Sequence, residues 1–405
     1  MSLEADAAAV AVPADVAIRQ EILLTPGPTT VPDAVLAAQT VAPRYHRGPA
    51  FRALMADVLD GLRWMLETED EIVLLTGSGT GALEAAVVNC FSPGDKLVVV
   101  DNGFFGERVT RLARAFGLEV VPLVYEWGRL ARAEDVAEVL SEHPDTAGVA
   151  VQHSETSTGA INDVEAIAAV VADAPGRPLV MVDAVSSAGA VPVRADAWAL
   201  DLVCGGSQKA LGATPGIGFV SVSDRAWAAH ARATSPRFYW DFTEHRTAAE
   251  TGPETPWTPA VGVLAGLGAA LGLMRERGRE AFFAAHRLNG AAVRAGVRAL
   301  GLELFGEDPE RAVVVTPFRV PDGLDADELA DHLRGRYGVV TAPGQGPLRG
   351  SILRVGHLGH VAAADVVAGL AALGATLADF GQPARGGEAV GAAVDVYRAA
   401  GAWPR

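Results

Sequence analysis

Lysine and cysteine are both scarce in this chain of 405 residues: Cys90 and Cys204 are its only cysteines, and Lys96 and Lys209 are its only lysines. Neither cysteine lies in a CxxC or other metal-ligating spacing, and two cysteines do not make a disulfide framework. Both stand in apolar surroundings, which is typical of buried structural thiols. This cysteine usage predicts a cytoplasmic protein.

Long apolar runs and an excess of positive charge are absent as well. The apolar stretch Val261–Met274 is shorter than the ~20 residues of a membrane helix, and charged residues follow it at once. The N-terminus lacks the basic and apolar regions of a signal peptide. A net charge of −16 and a pI near 5.0 argue against nucleic acid and anionic membrane as partners.

What the chain does have is a regular alternation of short apolar runs with helical patterns from Glu71 to Val220. This alternation predicts an α/β fold with a mostly parallel sheet that is flanked by helices. The length, together with a hydrophobic fraction of 50%, favours two domains. Ligands of such sheets bind beyond the carboxyl ends of the strands. The residues that carry chemistry are therefore expected directly after strands.

Five predicted strands do end in residues of this kind. They are followed in turn by a glycine-rich loop that opens a helix, two phenylalanines, a group of hydroxyls, an aspartate and a lysine: Gly77–Gly81, Asn102–Arg108, Ser154–Gly159, Asp183 and Lys209. Glycines before a helix favour a phosphate, and a partly desolvated lysine can attack a carbonyl carbon.

Each of these features also has a simpler explanation. The glycine loop could be a tight turn, the phenylalanines could be core, Asp183 could be a helix N-cap, and Lys209 could be a surface charge at a strand end. Their order along the chain favours one common purpose. Pyridoxal phosphate needs a lysine for its aldehyde, an anion for its pyridine nitrogen, N–H donors for its phosphate and a flat partner for its ring.

The motifs in this order resemble those of the class V aminotransferases, in particular the alanine–glyoxylate and serine–glyoxylate group. The resemblance runs from about residue 21 to about residue 378 and rests on seven motifs: TPGPT (25–29), GSGT (77–80), NGFFGER (102–108), HSETSTG (153–159), VDAVSS (182–187), GSQKAL (206–211) and LRVGHLG (353–359). It implies a fold-type I enzyme with pyridoxal 5'-phosphate as cofactor and a smaller C-terminal α+β domain.

The resemblance also implies the residues that bind the cofactor. Lys209 would form the Schiff base and then carry the proton between Cα and C4′, Asp183 would pair with the pyridine nitrogen, and Phe105 would stack on the ring. Thr156 would contact the ring oxygen. The remaining contacts, most of them to the phosphate, would come from Ser78, Gly79, Thr80 and Gln208.

A further phosphate contact is implied from a neighbouring subunit, through Thr258 or Thr255, so a homodimer with shared active sites is expected. Arg354 would bind the α-carboxylate of the substrate, and Gly27 and Pro28 would lie against the substrate.

Four segments follow from these assignments. Residues 1–20 are expected to be a mobile arm, 21–274 the large cofactor-binding domain, 275–380 the small C-terminal domain, and 381–405 a tail without an assigned role.

The implied function is transfer of an amino group from a small amino acid of the alanine, serine or aspartate type to a small 2-oxo acid, glyoxylate or pyruvate, by a ping-pong mechanism. The alternative is a lyase, or a transaminase for a phosphonate or a specialised metabolite, on the same fold. A desulfurase would need a reactive cysteine late in the chain, and none follows Cys204.

The choice of substrate stays open at this stage. Arg47, Arg237 or Arg246 could accept a second acidic group. The aromatic run Phe238–Trp240 could close over the substrate or belong to a subunit interface.

Overall fold

A computed structural model of the protein describes residues 21–40, 45–250 and 252–403, so the expected arm at residues 1–20 lies outside the described part. The strands are Ile22–Leu23 (β1), Glu71–Thr76 (β2), Lys96–Asp101 (β3), Glu119–Val124 (β4), Thr146–Gln152 (β5), Ser154–Glu155 (β6), Ala160–Ile161 (β7), Leu179–Asp183 (β8), Leu202–Gly206 (β9), Ile217–Val222 (β10), Val315–Arg319 (β11), Val339–Val340 (β12), Ala342–Pro343 (β13) and Ile352–Gly356 (β14).

The α-helices of the same described ranges lie mostly between these strands or after them. They are Asp33–Gln39 (α1), Pro49–Leu66 (α2), Gly79–Cys90 (α3), Phe104–Ala115 (α4), Ala133–Glu142 (α5), Val164–Asp173 (α6), Asp224–His230 (α7), Phe242–Ala249 (α8), Val261–Arg277 (α9), Arg279–Ala299 (α10), Ala326–Tyr337 (α11), Ala363–Asp379 (α12) and Gly386–Ala399 (α13).

The main sheet has the strand order β2-β10-β9-β8-β5-β3-β4. Strand β10 runs antiparallel to β2 and β9, and all other neighbours are parallel. The predicted α/β fold with a mostly parallel sheet is confirmed. Because β2, β9, β8, β5 and β3 share one direction, their carboxyl ends meet at the same edge.

Alternate residues of each strand point to opposite faces of this sheet, and both faces are covered. In β2, Ile72 and Leu74 belong to a cluster with α2, α5, α6 and α9. Val73 and Leu75 belong to a second cluster with α3, α4 and α7. Burial on both faces explains why these strands read as continuous apolar runs.

A second, smaller sheet of β11, β14 and β13 is antiparallel and packs with the C-terminal helices. Leu24, which follows β1, belongs to this cluster, and β1 pairs with β12. Ala389, Ala393 and Tyr397 of α13 are also buried in it. The expected tail therefore contributes a helix to this core, while the proposed domain boundaries stay a prediction.

In the C-terminal region the predicted strand is confirmed at Val339–Val340, and the short strand Ala342–Pro343 was not predicted. The sequence pattern favoured a single strand from Val339 to Thr341. In the structure Val339–Val340 pairs with β1, whereas Ala342–Pro343 pairs with β14. Short apolar runs do not reveal which partner each residue pairs with, because partner choice is set by the tertiary fold. None of the described helices is long and apolar enough to cross a membrane.

Strand β9, which leads to Lys209, depends on a glycine. Gly205 lies opposite Phe219 of β10, and a Cβ on Gly205 would overlap the buried Phe219 ring. We expect Gly205→Ala to lower the free energy of unfolding by about 1–3 kcal/mol through overpacking. Urea unfolding measures this change.

Gly272, in helix α9, provides the matched control because a Cβ there meets no atom within 4 Å. Gly272→Ala should stabilise the protein by about 0.5–1 kcal/mol, since alanine favours helix interiors over glycine. Equal unfolding free energies for the two variants would contradict the packing described for Gly205.

Candidate active site

A cavity of about 290 Å³ lies at the edge of the main sheet where the carboxyl ends of the strands meet. Its volume is near the lower end of the range for small-molecule sites, ~300 Å³. Eight of the nine residues predicted to bind the cofactor line it: Ser78, Gly79, Thr80, Phe105, Thr156, Asp183, Gln208 and Lys209.

Lys209 is largely withdrawn from water. Its Nζ donates a hydrogen bond to the Pro26 carbonyl at 2.5 Å. Burial lowers the pKa of Lys209 to about 8, the Asp183 carboxylate opposes this shift, and the Arg354 and Arg108 charges add to it. A lysine with this pKa is partly neutral near pH 8 and is suited to nucleophilic and proton-transfer chemistry. The explanation of Lys209 as a solvated surface charge is wrong.

Gly27, one of the two predicted substrate residues, directly follows the acceptor Pro26 and lies close to Lys209, and Pro28 is the next residue. Gly27 has φ +126°, and a Cβ there would lie 2.5 Å from Lys209 Cδ and 2.7 Å from Nζ. Only glycine permits both this backbone conformation and this approach. The TPGPT motif (25–29) therefore covers one side of the Lys209 side chain.

Asp183 ends β8 and points into the cavity, where its side chain is buried. One oxygen, Oδ1, accepts a hydrogen bond from the Val185 N–H at 2.9 Å. Burial raises the pKa of Asp183 to about 6. The Val185 hydrogen bond and the charges of Lys209 and Arg108 lower this pKa and so oppose the effect of burial. No described helix begins directly after Asp183, since the next described element is β9 at Leu202, so its explanation as a helix N-cap is wrong.

The glycine-rich loop forms the start of helix α3. Ser78 caps the helix by accepting a hydrogen bond from the Gly81 N–H at 3.4 Å, and α3 begins at Gly79. The free N–H groups of this first turn and the helix dipole favour an anion. The amide of Gln208 is next to this turn, and its buried Oε1 has no hydrogen-bond partner among the described residues. An unpartnered buried amide is available to a ligand.

Phe105 stands in the first turn of α4 and is fixed there by Glu155. One oxygen of the buried Glu155 accepts from the N–H groups of Phe105 (2.9 Å) and Gly106 (3.1 Å), and the other accepts from the Ser157 hydroxyl (2.5 Å). Burial raises the pKa of Glu155 to about 7, and these hydrogen bonds oppose the rise. The sequence prediction considered only the hydroxyls of this motif and missed Glu155.

Arg354 lies on the central strand of the small sheet and is only 5% exposed. Its guanidinium donates to the carbonyls of Pro343 (2.7 Å) and Thr156 (2.9 Å) and to the Gln345 side chain (3.2 Å). Burial lowers the pKa of Arg354 to about 10. Within the described ranges no carboxylate lies within 4 Å of Arg354. Its bond to Thr156 ties the small sheet to the cavity wall.

Thr258 is the one predicted cofactor residue that lies apart from this cavity. It is exposed and lines a separate recess together with Trp240 and Trp257. The alternative, Thr255, is buried and donates its hydroxyl proton to the Trp257 carbonyl at 2.7 Å. Within one chain neither threonine reaches Lys209's cavity.

The three arginines considered for a second acidic group all have partners elsewhere. Arg47 pairs with Glu254 at 2.9 Å, and Arg246 pairs with Glu71 at 2.7 Å. Arg237 donates to backbone carbonyls, among them that of Val88 at 3.2 Å. Their intramolecular bonds make them unsuited to the role that the sequence left open.

The aromatic run 238–240 does not line the cavity either. Trp240 packs on the start of α3 and donates to Glu84 at 3.1 Å. Phe238 and Tyr239 are 75% and 43% exposed and stack on Trp257. Exposed, stacked aromatics favour the interface explanation over closure on a substrate.

Comparison with known proteins decides the family. The model of the family "Aminotransferase class-V" matches residues 25–352. This chain belongs to that family. It is 40% identical over 378 residues, 93% of this chain and 98% of the other, to a protein of Anabaena cylindrica named soluble hydrogenase 42 kDa subunit.

Two further class V relatives have aminotransferase names. An L-aspartate–glyoxylate aminotransferase of Paracoccus denitrificans is 34% identical over 384 residues, which cover 94% of this chain and 96% of that protein. The crystal structure of pyridoxamine–pyruvate aminotransferase of Mesorhizobium loti has a TM-score of 0.88 at 32% identity and covers 94% of this chain and 98% of that one.

The cofactor of this class V aminotransferase is pyridoxal 5'-phosphate, and the residues present fit it. The cavity offers an amine with a lowered pKa, a buried carboxylate, a helix N-terminus and an unpartnered amide. The amine matches the aldehyde, the carboxylate matches the pyridine nitrogen, and the helix N-terminus together with the NH₂ group of the Gln208 amide matches the phosphate of the cofactor.

The two lysines allow a direct test of the environment of Lys209. Lys96 forms an ion pair with Asp145 at 2.8 Å, and the hydrogen bond that Lys96 donates to Asp145 raises the pKa of Lys96 above the ordinary value. Competitive acetylation of the apoprotein across a pH series, read by mass spectrometry, should therefore label Lys209 with a midpoint about 8 and Lys96 only at higher pH. Coinciding midpoints for the two lysines would refute the described environment.

Proposed function

We propose that this class V aminotransferase transfers the amino group of a small amino acid to glyoxylate or pyruvate in a two-step, ping-pong reaction. The observation that carries the proposal is the pair of Lys209 and Arg354: an amine of lowered pKa and a buried guanidinium without a carboxylate partner among the described residues. A reacting amino acid needs both groups: Lys209 to take its Cα proton, and Arg354 to bind its carboxylate. The glyoxylate and pyruvate in the names of the aminotransferase relatives support these acceptors.

Lys209 is proposed as the catalytic base and acid. Bound pyridoxal phosphate supplies an electron sink for the pair left at Cα when its proton departs. Lys209 Nζ would accept that proton from Cα and pass it to C4′ of the cofactor within the first half-reaction, and in the second half it would carry a proton from C4′ to Cα of the new amino acid. Asp183 keeps a negative charge at the pyridine end, and Phe105 provides a flat face for the ring. The amide of Gln208 and the first turn of α3 hold the phosphate.

Arg354 is proposed to orient the substrate. Its planar guanidinium can bind the α-carboxylate through two parallel hydrogen bonds. Because Arg354 is held by Pro343 and Thr156, its position is fixed before the substrate arrives. Gly27 lies beside Lys209, and Gly27 and Pro28 are proposed to contact the substrate there. Such preorganisation orients Cα–H toward the base.

Three other readings differ from this proposal in the reaction or in the substrate. A lyase on this fold also needs Lys209 and Asp183, and only the reaction course separates it from a transaminase. A phosphonate transaminase, or one for a specialised metabolite, differs only in its substrates. We favour aminotransfer over the activity in the hydrogenase-subunit name, because Lys209, Asp183 and Arg354 are residues that aminotransfer requires.

A single-turnover experiment tests the reaction type. Holoenzyme mixed with L-alanine, L-serine or L-aspartate, without an acceptor, should form about one 2-oxo acid per site and then stop, because the amino group stays on the protein-bound cofactor. Adding glyoxylate or pyruvate should restart turnover. Chromatography of the oxo acids measures both stages.

Lys209→Ala is the control, and it should form no oxo acid with any donor. Continued product formation without an acceptor would show a lyase instead of a transaminase. No product from any donor in the wild-type protein would reject the proposed substrates.

We also propose a homodimer in which Thr258 of one subunit completes the phosphate site of the other. Thr258 is exposed, lies outside its own cavity and adjoins the aromatic patch of Phe238, Tyr239 and Trp257. Arg47 holds this loop by donating to the carbonyls of Thr255 and Pro256. The cytoplasmic location is proposed from the cysteine usage alone.

Hybrid dimers test the shared site. Lys209→Ala and Thr258→Ala chains with different tags are co-expressed, and the heterodimer is purified. The cavity of the Lys209→Ala chain then also receives the altered residue 258 of its partner, so both defects fall in that site. The cavity of the Thr258→Ala chain keeps its own Lys209 and receives an intact Thr258, so it should be fully wild type. Titration with pyridoxal phosphate should then show half the sites at wild-type affinity. If the heterodimer has no wild-type site, Thr258 acts within its own subunit, and a Thr258→Ala homodimer with wild-type affinity would show that Thr258 does not contact the phosphate.

A further inference from the structure

Arg108 is a cavity residue to which no role has been given. It lies in the second turn of α4, three residues after Phe105, and lines the cavity together with Lys209 and Asp183. Its guanidinium carbon lies 4.7 Å from the centroid of the Phe105 ring. Arg108 and Lys209 are the two positively charged side chains of the cavity wall.

The charge of Arg108 has no direct counter-ion. Among the residues that the structure describes, no carboxylate lies within 4 Å of its guanidinium, although the side chain is half-buried. Burial lowers the pKa of Arg108, while the more distant Asp183 and Glu155 raise it. A cation withdrawn from water without an ion partner is costly unless an anion joins it.

The guanidinium is placed at the phosphate end of the cavity. Its Nη1 donates a hydrogen bond to Thr80 Oγ1 at 3.2 Å, in the first turn of α3. This turn presents the backbone N–H groups that are proposed to hold the phosphate. Lys209, the other cation, is partly neutral and is required for the reaction. Arg108 is thus the fixed positive charge nearest to the expected phosphate.

We propose that Arg108 neutralises the phosphate of pyridoxal 5'-phosphate by a charge-assisted hydrogen bond. This inference rests on the proposed function and deepens it, because it names the cation of the phosphate site. A guanidinium fork suits phosphate oxygens, and the Phe105 ring supports its planar face. The phosphate of the cofactor supplies the anion that Arg108 lacks.

Comparing cofactor forms with and without phosphate isolates this contact. Apoprotein is titrated with pyridoxal 5'-phosphate and with pyridoxal, and visible absorbance gives each affinity. Arg108→Gln should weaken pyridoxal 5'-phosphate binding roughly 10- to 100-fold, which is the value of a charged hydrogen bond. Its affinity for pyridoxal should stay within roughly threefold.

Two further variants complete the test. Arg111→Gln is the matched control: Arg111 is exposed on the same helix, 6.0 Å from the Phe104 ring, and does not line the cavity. It should bind both compounds like the wild type. Arg108→Lys keeps a charge without the fork and should recover part of the lost affinity.

The outcomes separate the two proposals. An equal loss of affinity for both compounds would show that Arg108 only supports the fold or the Phe105 ring, and unchanged affinities would show that it does not meet the phosphate. Either result overturns the inference and leaves the aminotransferase proposal standing. A wild-type protein that binds neither compound would overturn the proposed function itself.

Discussion

The withdrawal of the Lys209 amine from water is the constraint on which the site depends. The lysine follows a buried strand, contacts the Pro26 carbonyl, and lies against the backbone of Gly27. Parallel strands place Asp183 one strand away in the sheet order. Desolvation favours the neutral amine, whereas the carboxylate favours the charged one, and desolvation dominates. The fold thus sets the protonation state that the chemistry needs.

The charged side chains around this amine determine which ligands the cavity can bind. Arg354 and Arg108 are guanidinium groups without a carboxylate within 4 Å in the described ranges. Asp183 is a buried carboxylate and carries the opposite charge. Buried charges are tolerated when a partner neutralises them. Two anionic groups and one protonated nitrogen would do so here. The proposed cofactor phosphate, substrate carboxylate and pyridinium would provide that set.

The sequence predicted the fold and most of the cavity wall, because the relevant residues follow strands whose direction the α/β pattern determines. Lys209, Asp183 and Phe105 were found in this way, and eight predicted residues line one cavity. Pairing in the C-terminal region was less predictable, since Val339–Val340 and Ala342–Pro343 are short and join different sheets. Helices α1 and α7–α10 were not predicted.

Residues that act through tertiary contacts were also missed. Glu155 looked like one polar residue among hydroxyls, and only the fold brings it to the N–H groups of Phe105 and Gly106. Arg108 was given no role from the sequence, because only the approach of α3 to α4 places it on Thr80. The arginines 47, 237 and 246 drew attention by charge alone, and each is bound elsewhere.

Chemical trapping tests the central claim most directly. The protein is incubated with pyridoxal 5'-phosphate and reduced with borohydride, which turns a carbon–nitrogen double bond to a lysine into a stable link, and peptides are mapped by mass spectrometry. The site described here predicts one modified residue per chain, Lys209, with Lys96 unmodified. Modification at Lys96, or at no lysine, would contradict it.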